Sequence, residues 1–117
     1  MQRSEALNWL KENLSDENHI KHSLAVEAIM RGIAVRLGED IEKYGLAGLL
    51  HDIDYDTTGD APEKHSLIGA QMLEDKGLPA EIVYAVKVHN EMHGLERKST
   101  LDKALFCCDP ASGFITA

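Results

Sequence analysis

Apolar residues recur at helical spacing along most of this chain, and that pattern constrains its fold more than any other feature. The clearest example is the segment 18–37, whose apolar stripe consists of Val26, Ile29, Ile33 and Leu37. Side chains three and four residues apart share one face of an α-helix, so such a stripe predicts a helix with one buried face. No segment shows the apolar–polar alternation of a convincing strand.

Helix caps and breakers divide the pattern into separate elements. The predicted helices cover about 4–14, 18–37, 40–52, 62–77, 79–90 and a last one from 99, with loops at 53–62 and 91–98. Ser4 and Ser99 are suitable N-caps, Pro62 and Pro79 suit the first helical turn, and Gly38 suits a helix end. We therefore predict an all-α fold, a compact bundle of five to six helices forming one domain over 1–117.

Composition supports this fold class and excludes some functions. Aromatic residues are only 5% of the chain, so Leu, Ile, Val, Ala and Met must fill the core, which favours helices. The formal net charge of −8 argues against an extended nucleic-acid surface. No apolar run is long enough to span a membrane, and the N-terminus lacks the apolar core of a signal peptide. Adjacent Cys107 and Cys108 cannot form an ordinary long-loop disulfide, so we predict a cytoplasmic protein.

Several ionisable side chains lie where the helical pattern would place apolar residues, or at the inner end of an apolar stripe. They are His22, His51, Asp52, His65, His89 and Asp109. Each alone has a structural explanation, since a single histidine on an apolar face usually fills a polar gap in a core. Together they include two carboxylates whose burial without a partner is costly. Inward-facing imidazole and carboxylate groups with few nearby cations are typical of a site for iron, manganese, zinc, nickel or cobalt.

Three segments of the sequence carry a family resemblance. They are KHSLAVEAI around His22, GLAGLLHDIDYD around His51 and Asp52, and FCCDP around Asp109. In this order they resemble the H…HD…D pattern of the HD superfamily of metal-dependent phosphohydrolases. The segments EKHSLIGAQML and AVKVHNEMHG resemble the branch of that superfamily with two added histidines. The resemblance covers nearly the whole chain.

The resemblance implies a set of metal ligands. The first divalent metal would be bound by His22, His51, Asp52 and Asp109, and a second by His65 and His89, with Asp52 as the bridge. One or two ions are expected, magnesium being a further option. A metal-activated water would cleave a phosphate ester or anhydride of a small molecule, such as a nucleotide. Asp52, His65 and His89 would be the catalytic residues; with a single metal, the two histidines would act as proton donors or phosphate ligands.

The chain departs from the family pattern in two places. Asp54 stands where the branch often has glycine, in HDIG. It could orient a ligand histidine or cap the following loop, and we favour the loop role. The chain also ends eight residues after Asp109, whereas relatives commonly continue, which is typical of a truncated or minimal domain.

A few other polar residues neighbour the predicted ligands. The candidate substrate contacts are Lys64, Lys87, Asn90 and His93, with an ordinary solvated surface as the alternative. His19 lies three residues before His22, and we interpret it as a helix-start residue rather than a ligand.

Three hypotheses follow for function. The leading one is a phosphohydrolase acting on a small phosphorylated molecule, without a membrane partner. The sequence does not predict its oligomeric state, and a dimer is one option. The second is a regulatory module that binds metal or nucleotide without turnover. In the third, the histidines only fill polar gaps in a helical scaffold.

Overall fold

A computed structural model describes residues 2–89 and 96–107, and these residues contain helices and no strands. The helices are α1 (Arg3–Asn13), α2 (Glu17–Leu37), α3 (Ile41–Leu50), α4 (Leu67–Asp75), α5 (Ala80–Val88) and α6 (100–107), with a 3₁₀ turn at Pro62–Lys64. The predicted all-α fold class is therefore confirmed. None of the described helices is both long and apolar enough to cross a membrane.

The predicted caps at Gly38 and Ser99 are confirmed, whereas Pro79 is the N-cap of α5 instead of part of its first turn. Gly38 ends α2 in the left-handed conformation, with φ of 69°. At α6 the caps are reciprocal: the Ser99 N–H donates to Asp102 Oδ2 over 2.9 Å, and the Asp102 N–H donates to Ser99 Oγ over 3.1 Å. The Ser4 cap is wrong, because α1 already begins at Arg3 and its N-cap is Gln2.

The predicted helix over 62–77 is also wrong in its first part. A 3₁₀ turn is followed by a break, and α4 begins only at Leu67. Ser66 at the break has a positive φ of 68°. Asp54 Oδ2 accepts the backbone N–H groups of Ser66 (2.7 Å) and Gly69 (2.8 Å), so a side chain replaces the helical carbonyls there. His65 consequently precedes α4 instead of lying on it.

Two glycines allow α2 and α3 to pack closely. A Cβ atom at Gly48 would lie 3.0 Å from Glu27 Cα, and one at Gly45 would lie 2.6 Å from Arg31 Nε. A larger residue at Gly48 would therefore push the two backbones apart, whereas one at Gly45 would displace the Arg31 guanidinium. Their close approach brings His22 on α2 towards His51 at the end of α3, with ring centroids 5.3 Å apart.

Every described helix contributes an apolar side chain to the core. Fully or nearly fully buried examples are Leu10, Met30, Leu50, Leu73, Ile82 and Leu105, in the order α1 to α6. Ile53 extends the core past the end of α3. The segment 51–54 is therefore buried although it is not helical, which draws its polar side chains into the interior.

One buried ion pair joins the first two helices. The Glu27 side chain is only 4% exposed; it accepts two hydrogen bonds from Arg3 (2.7 and 2.9 Å) and one from Arg31 (3.1 Å). We expect Glu27→Gln to lower the free energy of unfolding by about 2 kcal/mol, because it leaves two guanidinium groups without their buried anion. Urea denaturation of the two proteins measures this difference.

The matched control for that change is Glu42→Gln. Glu42 also binds Arg31, at 3.0 Å, but its side chain lies mostly in solvent. Exposed ion pairs contribute little to stability, so its loss should leave the urea midpoint unchanged. Equal destabilisation by the two substitutions would contradict a special role for the buried pair.

Candidate metal centre

Asp52 lies at the centre of a cluster of histidines, two residues after the end of α3. Its Oδ2 atom faces the Nε2 atoms of His51 (3.2 Å) and His22 (3.7 Å). Its Oδ1 atom faces the Nε2 atoms of His65 (3.0 Å) and His89 (3.2 Å). The two oxygens therefore serve two different sets of imidazoles. Together with Asp52, each set offers three ligand atoms within 4.8 Å of one another, which is close enough to hold a metal ion.

A hydrogen bond to a carbonyl in the last turn of a helix positions two of these histidines. His51 follows α3 and His89 follows α5, each as the first residue after the helix. The Nδ1–H of His51 donates to Gly48 O over 2.7 Å, and that of His89 donates to Val86 O over 2.6 Å. Carbonyls in the last turn of a helix have no helical partner. Each histidine thus satisfies a carbonyl at the end of its own helix, and the same hydrogen bond turns its Nε2 atom towards Asp52.

Asp54 positions the third histidine. Its buried Oδ1 atom lies 2.7 Å from His65 Nδ1, while Oδ2 holds the N–H groups of Ser66 and Gly69. Asp54 therefore contacts a predicted ligand histidine, and its carboxylate caps the start of α4 instead of the loop that directly follows it. A Cβ at position 69 would lie 3.1 Å from the carboxylate, so glycine leaves the room that Asp54 needs.

The proton positions in this cluster favour a cation. A neutral imidazole carries one N–H, and carbonyl or carboxylate oxygens can only accept it. His51, His65 and His89 each direct Nδ1 at such an acceptor, which leaves a lone pair on Nε2. Those lone pairs face the lone pairs of Asp52. Either extra protons or bound cations must lie between them, and the donor set of imidazole and carboxylate suits a divalent transition metal.

The pKa values show how protons satisfy the cluster when no cation is bound. Burial favours the neutral form of His65, but hydrogen bonds with Asp52 and Asp54 outweigh this effect and raise its pKa to about 9. Burial alone would raise the pKa of Asp52, but the surrounding histidines, His51 first among them, hold it well below the ordinary value. Asp52 is thus ionised at neutral pH, and metal must displace protons to bind.

His19 lies in the first turn of α2, as predicted, and it also contacts the centre. Its Nε2 atom lies 3.1 Å from Asp52 Oδ2, and its ring stacks on Tyr55 with centroids 3.9 Å apart. It lies outside both groups of potential ligands. The three-residue spacing between His19 and His22 places both on one helix face. This spacing is the sequence feature that could have predicted the contact of His19 with the centre. No pattern in the sequence indicated Tyr55.

The other predicted site residues lie either outside the described residues or on the surface of the described part. Asp109, Asn90 and His93 lie outside the described residues. Lys64 is exposed, and Lys87 lines a surface cavity of about 260 Å³ with Glu74, Tyr84 and other residues that do not include the histidines. In the described part of the chain, neither lysine forms an ion pair with Asp52, and a substrate contact by either one stays a prediction.

Asp54→Asn should weaken one half of the centre selectively. The amide oxygen can still cap α4, but its NH₂ group would then face His65 Nδ1 and force the imidazole proton onto Nε2. We expect affinity for one metal ion to fall about 10–100-fold, as for other groups that orient ligands. Metal titration followed by isothermal calorimetry measures the affinity of each of the two proposed sites.

Asp56→Asn is a suitable control for this substitution. Asp56 lies on the same segment and accepts the N–H (2.8 Å) and hydroxyl (2.9 Å) of Ser15, away from the histidines. It should bind both metals as the parent does. Undiminished binding by Asp54→Asn would show that Asp54 does not orient His65.

Comparison with known proteins gives one family and one fold. The model of the HD domain matches residues 20–109. Among curated relatives, ribonuclease Y of Nitratidesulfovibrio vulgaris (strain DP4) is 39% identical over 75 residues, covering 64% of this chain and 14% of the relative. Ribonuclease Y of Oleidesulfovibrio alaskensis is 32% identical over 108 residues, covering 92% and 20%. The chain thus spans a fifth or less of the length of these relatives.

A solved structure has the same fold. It is described as a predicted HD superfamily hydrolase involved in NAD metabolism from Clostridium acetobutylicum. The TM-score is 0.70 over 93% of this chain and 68% of that one, with 23% sequence identity. At that identity the likeness supports the helical arrangement and leaves substrate open.

Proposed function

The chain belongs to the HD domain family, and from that membership and the geometry around Asp52 we propose that it is a metal-dependent phosphohydrolase. One observation carries the proposal. Each oxygen of one buried carboxylate faces a separate set of imidazole Nε2 atoms. In three of these imidazoles an oxygen lies against Nδ1 and directs the ring proton there, away from Nε2. A scaffold that only needed to fill polar gaps would not require this alignment of acceptors.

The proposed ligands fall into two groups that share Asp52. The first comprises His22, His51 and Asp52, with Asp109 as a further ligand; the second comprises Asp52, His65 and His89. Iron, manganese, zinc, nickel and cobalt fit these donors, and magnesium fits them less well. When bound, such ions acidify water and hold phosphoryl oxygens as charge develops on the leaving group.

The residues of the chain prepare the site for that chemistry. Asp52 supplies the two oxygens that a bridge needs, which no imidazole can do. Helix-end carbonyls fix the rings of His51 and His89, and Asp54 keeps the proton of His65 on Nδ1. The Asp52 side chain is almost wholly shielded from solvent, so its interactions are stronger than they would be in bulk water.

We propose a nucleotide or another small phosphorylated molecule as the substrate. Relatives named ribonuclease Y and a structural neighbour linked by its description to NAD metabolism both point to phosphate groups of nucleotides. The net charge of −8 disfavours a long polyanion held by surface contacts. A small molecule whose phosphate is held mainly by metal ions avoids that repulsion.

The test combines metal reconstitution with a substrate panel. The panel contains p-nitrophenyl phosphate, AMP, ATP, NAD and a short RNA, each with Mn²⁺, Fe²⁺, Co²⁺, Ni²⁺, Zn²⁺ or Mg²⁺. We expect metal-dependent release of phosphate or nucleotide from at least one small substrate. Saturable nucleotide binding without release under every metal would instead favour a regulatory module. Turnover of the RNA alone would contradict the small-molecule substrate.

A further inference from the structure

Among the described histidines that contact Asp52, His19 is the one outside both groups of potential ligands. Its Nε2 atom lies 3.1 Å from Asp52 Oδ2, the same oxygen that faces His22 and His51. Its side chain is 16% exposed, that of His22 is 22% exposed and that of His51 is fully buried. His19 therefore lies beside His22 at the partly exposed edge of the first group of ligands.

The proton on His19 is free to occupy Nε2. In His51, His65 and His89 an oxygen acceptor lies against Nδ1, which directs the proton there. Among the described residues, none makes such a contact with His19 Nδ1. Within residues 2–89 and 96–107, the only hydrogen bond of this ring is the one to Asp52. Since a carboxylate oxygen can only accept, His19 Nε2–H is the donor.

A carboxylate oxygen can satisfy this donor and a cation together. Each oxygen has two lone-pair sites, so Oδ2 can bind an ion among His22, His51 and Asp52 with one and accept the His19 N–H with the other. His19 lies outside that group of ligand atoms and need not move to allow binding. The hydrogen bond then fixes the rotation of the carboxylate about its Cβ–Cγ bond.

Tyr55 holds the His19 ring in place. The two rings are stacked at 3.9 Å with an interplanar angle of 17°, and the Tyr55 ring also meets His65 edge-on at 6.4 Å. Stacking restrains an imidazole that is otherwise at the edge of the site. Tyr55 therefore contacts His19 beside the first ligand group and His65 in the second.

We propose that His19 is a positioning residue that orients Asp52 for the first metal, with Tyr55 as the support of its ring. The inference rests on the proposed metal centre, but it does not require that any particular substrate be hydrolysed. Donors to ligating carboxylates commonly contribute a 10–100-fold increase in metal affinity. The contribution should appear at the group formed by His22, His51 and Asp52.

The experiment separates the hydrogen bond from the stacking. His19→Phe keeps a ring against Tyr55 and removes the donor, whereas His19→Gln keeps a side-chain N–H at a similar reach and removes the ring. Each is made in the otherwise unchanged chain and in a His89→Ala background, which leaves the first ligand group as the only complete one. Mn²⁺ affinity is measured by calorimetry, and thermal unfolding is measured with chelator present. Lys21→Gln, which removes a charge from an exposed residue of α2, is the control.

We expect His19→Phe to weaken Mn²⁺ binding about 10–100-fold in the His89→Ala background, with metal-free unfolding unchanged. His19→Gln should restore affinity to within about threefold of the parent, and Lys21→Gln should have no effect. Parental affinity in His19→Phe would overturn the proposal. So would equal losses in the phenylalanine and glutamine variants, a lowered metal-free melting temperature, or a parent that binds no metal. A parent that binds Mn²⁺ but hydrolyses nothing would contradict the proposed function alone.

Discussion

Asp52→Asn is expected to abolish metal-dependent phosphate release and to remove metal from both halves of the centre. An amide has one oxygen to coordinate with, and its NH₂ group would face either His22 and His51 or His65 and His89. The loss of a bridge should reduce kcat/KM by roughly a thousandfold or more, equivalent to about 4 kcal/mol of transition-state stabilisation. Steady-state kinetics with elemental analysis of each variant measures both effects.

Asp60→Asn is the matched control, because Asp60 is an exposed aspartate on the same segment. It should keep parental turnover and metal content. If Asp52→Asn bound two metals and retained more than about a tenth of the activity, Asp52 could not be the bridge. The same result would remove the main support for a two-metal centre.

Removal of metal is expected to lower the melting temperature of the parent by about 10–20 °C. A ligand that binds only the folded state stabilises it by about 4 kcal/mol when its free concentration is a thousand times Kd. For a chain of this size, each kcal/mol corresponds to a few degrees. The proposed ligands come from α2, from the ends of α3 and α5 and from the segment before α4, so bound metal would join elements that are distant in sequence. Differential scanning fluorimetry with and without a chelator gives the shift.

The Asp52→Asn protein supplies the control for the chelator itself. Without a bridge it should bind little metal, so the chelator should leave its melting temperature nearly constant. An unchanged melting temperature in the parent would mean that the histidines fill polar gaps in a scaffold. A chelator effect of the same size in both proteins would mean that metal binds somewhere other than around Asp52.

The pattern of apolar residues was sufficient to predict the fold class and most helices. In α2, Gly38 marks the end of the helix and Val26 lies on the buried face, as predicted. That face continues through Met30 and Ala34, however, and Leu37 of the predicted stripe is 52% exposed. Local periodicity and capping chemistry determine such features, and both can be read within a few residues. The same pattern singled out His22, His51, Asp52, His65 and His89, since each interrupts an apolar face or closes it.

Contacts between distant residues account for what the sequence did not predict. The break before α4 depends on Asp54, which is 12 and 15 residues from the two N–H groups that it accepts. Pro62 suggested a continuous helix because nothing nearby indicates a competing acceptor. His19 likewise gains its role from Asp52, 33 residues away. Helical periodicity indicates which side of a helix is buried, but it does not identify the distant residues that contact that side.

The metal content of the chain tests the central claim most directly. The protein would be purified without oxygen or chelator, incubated with Mn²⁺ or Fe²⁺, freed of unbound ions and measured by elemental analysis against protein concentration. Two ions per parent chain are predicted, falling to one in His89→Ala and to none in Asp52→Asn. A parent chain that retains no metal under these conditions would contradict a metal-dependent phosphohydrolase.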